Sequence, residues 1–141
     1  MATVYKEIEI GRSKEFVWDA IRDVGAIHKR LVRGFVVDCT LEGDVRTVTF
    51  SNGMVVRELI VAVDDATCRH SWGTHDKPFI HYNASVQAFS SGPDKCRVVW
   101  IADFLPNELV DLIAGLMQQG LIAMKQTLES SPVEAGERTK R

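Results

Sequence analysis

From Gly34 to Pro106 the chain is almost unbroken alternation and hairpin signal, and it then runs into one long helical stripe, Asn107 to about Leu128. That order leaves few folds open. Sequential strands joined by short turns make an antiparallel meander. A lone amphipathic helix must bury its apolar face against that sheet. A strongly curved sheet crossed by one helix encloses a cavity, and a cavity with a few polar groups can hold a small molecule.

The strands are well punctuated. Thr3 to Ile10 alternates and reads as a first strand, broken by Gly11. Ser13 is a good N-cap, with Glu15 in the first turn; Phe16, Val17, Ala20, Ile21 and Val24 mark one face of a short helix ended by Gly25. Ala26 to Leu31 offers a second short helix. Six further strands follow: Phe35–Leu41, Arg46–Phe50, Met54–Val63, Cys68–Thr74, Phe79–Phe89 and Arg97–Leu105. Between the second and third of these lies Ser51-Asn52-Gly53, whose Asn-Gly pair accepts positive φ at both residues and is a strong hairpin signal. The last helix has Pro106 before it and Asn107 as its expected cap. Leu109, Leu112, Ile113, Leu116, Met117, Leu121, Met124 and Leu128 form its stripe. At 1.5 Å per residue it is about 33 Å long, enough to cross the sheet. Gly115 and Gly120 inside it mark either close packing or room for a ligand. Residues 1–129 form a single domain; the polar 130–141 reads as a mobile tail.

The totals exclude several classes. A chain of 141 residues with net charge −2 and pI near 6.1 lacks the basic face of a nucleic-acid groove. His28, Lys29, Arg30 and Arg33 make too short a cluster to change this. Three widely spaced cysteines without a CxxC suggest neither a disulfide framework nor a zinc knuckle. No apolar run approaches the roughly 18 residues of a membrane span. The opening MATVYKEIEI alternates and carries charge, unlike a signal peptide. A soluble cytoplasmic protein without a cofactor is the expectation.

Strand alternation places polar side chains inside. Arg57 and Glu58 are adjacent in mid-strand, so one of them faces inward; the same holds for Arg69-His70 and for His81-Tyr82-Asn83. An inward charge must be paired, hydrated or used; a bulge, strand end or dimer contact could instead take it to water. The final strand sets the register: Val98, Trp100, Ala102 and Phe104 share the apolar, inner face, while Arg97 and Asp103 share the other. On the strand before it, Tyr82, Ala84, Val86 and Ala88 go inside.

These features together resemble the START-like, or SRPBCC, superfamily, in its polyketide cyclase/dehydrase and lipid-transport branch. The resemblance runs from about Val4 to Leu128. It rests on SKEFVWDAIRDVGAI after the first strand, on LEGDVRTVTFSNGMVVRELIVAVDD, and on CRVVWIADFLP leading into the helix. It implies an α+β helix-grip fold: a curved seven-stranded antiparallel sheet wrapped around a long C-terminal helix, with two short helices after the first strand. Superfamily members include carriers, receptors and enzymes, so fold does not settle function. A more distant resemblance to the plant abscisic-acid receptors, matched through Asp64-Asp65, places their pocket Glu on Glu58, a pocket aromatic on Trp72, their pocket Tyr on Tyr82 and their pocket Lys near Arg33. Their gate hairpin falls on Ser51-Asn52-Gly53 without its Leu-Pro pair. The match favours Glu58, His70, Trp72 and Thr74 as the inner register.

Several functions fit this reading. In the first, the chain binds a small hydrophobic or amphipathic molecule that is lipid-, aromatic- or polyketide-like. Trp72, Ala84, Trp100, Phe104, Leu116, Met117 and Met124 line the wall, and Arg33, Glu58, His70, Thr74 and Tyr82 supply polar groups. In the second, it is a cyclase or dehydratase with Glu58 or His70 as acid–base group and Tyr82 or Arg33 as donor. A metal site from His70, His75, Asp76 and His81 conflicts with strand alternation, because His70 and His75 are an odd number apart. Finally, Leu59, Val61 and Val63 on the outer face, with Val99 and Ile101, suggest a homodimer contact or a covering element.

Overall fold

The computed structural model describes residues 1–132. β1 (Ala2–Ile10) leads through α1 (Lys14–Ile21) and α2 (Ile27–Arg30) to β2 (Val36–Glu42). Then follow β3 (Val45–Phe50), β4 (Val55–Asp64), β5 (Arg69–Gly73), β6 (His81–Gly92) and β7 (Lys95–Leu105). A 3-10 turn, Asn107–Leu109, precedes α3 (Val110–Ser130). The seven strands form one antiparallel sheet in the order β1-β7-β6-β5-β4-β3-β2. All neighbours are sequential except β1 with β7. The two short helices carry the chain from one edge of the sheet to the other. This is the helix-grip architecture expected from the element order.

Local chemistry explains most boundaries. The Ser13 hydroxyl accepts from the Phe16 N–H at 3.1 Å and starts α1. In the β3–β4 hairpin only Gly53 takes a positive φ, at 92°. Asn52 contributes differently from expectation: its Oδ1 accepts from the Met54 N–H at 2.9 Å, the local side-chain bond for which Asn favours turns. Asn107 is not a side-chain cap. It opens the 3-10 turn, and α3 begins at Val110 with no capping side chain. Residues 74–80 form a loop, so β6 starts at His81 rather than Phe79. α3 continues through Ser130; residues 133–141 of the expected tail lie outside the described residues.

The core sits between the concave face and α3. Ile10, Val48, Val98 and Phe104 of the sheet meet Met117, Leu121, Met124 and Leu128 of α3, with Val17 and Ile21 of α1 closing one end; all are less than 2 % exposed. Leu112, expected in the helix stripe, is instead 47 % exposed. The two helical glycines part ways. A Cβ on Gly120 would lie 2.7 Å from the Trp100 ring and 3.2 Å from Phe35, so this glycine is there for close packing. A Cβ on Gly115 would meet nothing within 4 Å. On the outer face, Leu59 and Val61 are exposed as expected, whereas Val99 is buried.

Candidate functional site

Between the concave face and α3 the packing leaves a cavity of about 120 Å³. β3, β4, β5, β6 and β7 wall it on one side. Ile113, Leu116, Met117 and Met124 of α3 close the other, and α1, α2 and the segment through Phe35 close one end. The wall is apolar apart from Arg46, Glu58, His70, Thr74, Tyr82 and the Trp100 indole N–H.

Nine of the twelve residues expected at a ligand site line this cavity: Glu58, His70, Trp72, Thr74, Tyr82, Trp100, Leu116, Met117 and Met124. Three do not. Arg33 is exposed, and its guanidinium donates to the Thr127 carbonyl at 3.2 Å and the Ser131 hydroxyl at 3.3 Å. It serves the C-terminal end of α3, where a cation offsets the partial negative charge of the last carbonyls. Ala84 and Phe104 face inward but are packed solid in the core. Phe104 lies behind the wall, with its ring centroid 6.4 Å from those of Phe79 and Tyr82.

The residue that alternation alone missed is Arg46. It is 3 % exposed and directly opposite Glu58, which is 7 % exposed, across the β3–β4 ladder. Arg46 Nε and Nη2 donate to Glu58 Oε1 at 3.0 and 2.6 Å, and Nη1 donates to the Val24 carbonyl at 3.1 Å. The guanidinium also stands over the Trp72 ring, 5.6 Å from its centroid. A signal for this pair was present. Counted outward residue by residue from the three-residue Ser51-Asn52-Gly53 turn, Arg46 falls opposite Glu58. Burial pushes the Glu58 carboxyl above its ordinary range, and the Arg46 guanidinium and the Trp72 indole pull it back.

His70 is 3 % exposed and stacks on Trp72, centroids 4.9 Å apart. Its Nδ1 lies 3.0 Å from the Ala62 carbonyl, beside a bulge in β4 between Ile60 and Ala62. Burial, reinforced by the Arg46 and Arg69 charges, lowers its pKa to about 4, against the pull of the Ala62 carbonyl. His70 Nε2 and Trp100 Nε1 are buried without a hydrogen-bond partner. The Trp100 N–H is near enough to Tyr82 to favour phenolate, but burial dominates and holds the Tyr82 phenol protonated. The Thr74 hydroxyl is committed to the loop: it donates to the Arg57 carbonyl at 2.6 Å and accepts from the Asp76 N–H at 3.1 Å. Asp76 in turn pairs with Arg57 at 3.0 Å. His70 is inside, while His75 is exposed on this loop. Among the described residues no group of three or more His, Cys, Asp or Glu side chains is placed to hold a metal ion, and no helix is long and apolar enough to cross a membrane.

A curved sheet gripping one helix over an internal, mostly apolar cavity defines a ligand-binding fold. The chain belongs to the family described as polyketide cyclase / dehydrase and lipid transport, whose model matches residues 1–129. Solved structures share the fold. The protein XoxI from Bacillus cereus is 23 % identical, with TM-score 0.82 over 92 % of this chain and 97 % of its own. The di-domain aromatase/cyclase BexL of the BE-7585A biosynthetic pathway is 12 % identical, with TM-score 0.77 over 92 % of this chain and 47 % of its own. Norcoclaurine synthase from Thalictrum flavum, solved with dopamine and hydroxybenzaldehyde, is 17 % identical, with TM-score 0.72 over 94 % of this chain and 89 % of its own. No curated protein matches the sequence.

Proposed function

We propose that this chain binds a small hydrophobic or amphipathic molecule, lipid-, aromatic- or polyketide-like, in the cavity between the sheet and α3. The observation that carries this reading is the cavity itself: an apolar space whose few polar groups converge from β3, β4, β5 and β7. A packed core would fill that space, and the unpaired nitrogens buried in two of its wall residues, His70 and Trp100, cost stability unless something meets them. Arg46 and Glu58 hold the strands together at one side of the space; His70, Tyr82 and Trp100 orient the ligand. Native mass spectrometry of the freshly purified protein tests the reading. The expected result is a non-covalent adduct, released on denaturation, of a compound with both apolar and polar parts. An adduct-free protein whose tryptophan emission and Tm are unmoved by lipids, aromatic alcohols and polyketide-like aromatics would overturn it.

A second reading, a cyclase or dehydratase, is favoured by one observation. His70 lines the cavity, is neutral at pH 7 and keeps a buried Nε2 without a hydrogen-bond partner. Such a nitrogen can take a proton from a carbon beside a carbonyl. Glu58 is less suited to that role, because Arg46 occupies its Oε1 twice. Turnover of a polyketide-like substrate, lost in His70→Gln with binding retained, is the expected signature. Unchanged turnover in that variant removes His70 as base.

A further inference from the structure

Two residues that line the cavity, His70 and Trp100, each bury a nitrogen without a hydrogen-bond partner, Nε2 and Nε1, and these bear on which molecules the cavity can accept. A carbonyl oxygen can only accept a hydrogen bond, so the 3.0 Å contact with Ala62 places the ring proton of His70 on Nδ1. Nε2 of the neutral ring is then a bare lone pair. The stack on Trp72 fixes the ring plane, so Nε2 cannot turn elsewhere for a donor. Trp100 Nε1 is the complement, a donor that makes no hydrogen bond although the Tyr82 hydroxyl is nearby. The charges nearby are already spent on each other. Arg46 is the one cationic side chain lining the cavity among the described residues, and its Nε, Nη1 and Nη2 are engaged by Glu58 and the Val24 carbonyl. A carboxylate entering this space would find its one cation already paired with Glu58, and would face the His70 lone pair and the Glu58 charge.

We propose that the cavity selects a neutral ligand bearing a hydroxyl group, a phenol or an alcohol, whose O–H donates to His70 Nε2 while a ligand oxygen accepts from Trp100 Nε1, and that it rejects a carboxylate of the same shape. This rests on the binding function proposed above and adds the chemical class. A space of about 120 Å³ suits a single substituted ring.

Three probes of one shape separate the possibilities: 4-ethylphenol, 4-ethylanisole and 4-ethylbenzoate, titrated at pH 7.5 against tryptophan emission. The phenol should bind about tenfold or more tighter than the methyl ether, which cannot donate to the buried acceptor. The benzoate should bind weakest. In His70→Phe, which keeps the stacking ring and removes Nε2, phenol affinity should fall to the ether's level and the ether's should hold. Equal binding of phenol and ether by the wild type would overturn the inference and leave the binding function standing. Tightest binding of the benzoate would overturn it too, showing Arg46 to be available to an anion. Binding of none of the three would count against the binding function itself. A variant-free check is the ¹⁵N spectrum of the wild-type histidines at pH 7.5. An unprotonated Nε2 in His70, moving on addition of the phenol and not of the ether, is expected; a protonated Nε2 refutes the assignment whether or not any probe binds.

Discussion

Acidification should cost this protein stability through His70, by an amount that can be worked from its surroundings. The imidazole titrates near 6.5 when exposed and at about 4 in the folded chain. The sign follows from proton counting: between these values the unfolded chain binds the proton and the folded chain does not. The stability that His70 contributes is therefore fully present above pH 6.5 and is lost as pH falls through about 4. At pH 5 the unfolded ring is almost wholly protonated and the folded one largely neutral, which amounts to about 2 kcal/mol lost relative to pH 7.5. Asp65, Asp76 and Glu129, whose pKa values are lowered by ion pairs and hydrogen bonds, add their own acid sensitivity. A comparison with His70→Gln cancels theirs, because Gln carries no titrating group. Urea unfolding followed by tryptophan fluorescence at the two pH values gives four free energies. The wild type should lose about 2 kcal/mol more than the variant on acidification. A difference near zero would mean that folded His70 accepts a proton as readily as an exposed one, and would refute both its neutral state and the single tautomer on which the ligand inference stands.

Other perturbations test the packing around the cavity. Arg46→Met leaves Glu58 buried without its partner and should cost about 3–5 kcal/mol in urea unfolding. Adding Glu58→Leu to it should recover most of that loss, since an apolar pair of similar bulk has no charge to desolvate. Gly120→Ala drives a methyl group into the Trp100 ring and should cost about 1–3 kcal/mol and alter tryptophan emission. Gly115→Ala meets open space and should raise Tm, from a gain of up to about 1 kcal/mol. Cys96, whose thiol is pushed up to about 11 chiefly by burial, should resist alkylation at pH 8 until the protein unfolds.

The helix-grip order was legible because each of its parts is written locally. Alternation marked the strands, Gly53 and its neighbours the hairpin, Ser13 the first helix, and a 3.6-residue stripe the last one. Alternation also carried most of the cavity wall. One correctly placed residue per strand fixes the face of every second neighbour: the last strand placed Tyr82, the likeness to the abscisic-acid receptors placed Glu58, His70 and Trp72, and all four line the cavity. Arg33 was misplaced because its assignment came from a distant likeness across a loop, where no periodicity constrains direction. Ala84 and Phe104 had the right face, but depth along a strand, which separates cavity from solid core, is not a periodic property.

What only the tertiary structure decided is how the polar groups meet. The sequence, through its family likeness, puts Glu58 inside; it does not say that Arg46 takes one carboxylate oxygen with two N–H groups, leaving the one cation of the wall already paired. It puts His70 inside, but the bulge in β4 and the Ala62 carbonyl choose the tautomer that leaves Nε2 bare. It lists two helical glycines as equals, and the Trp100 ring tells them apart. The sequence by itself determined the elements and the faces, because those depend on neighbours a few residues away. Pairing, protonation and free space depend on groups brought together from 12 to 22 residues apart in the Arg46 network alone, and they exist only once the sheet has curved around its helix.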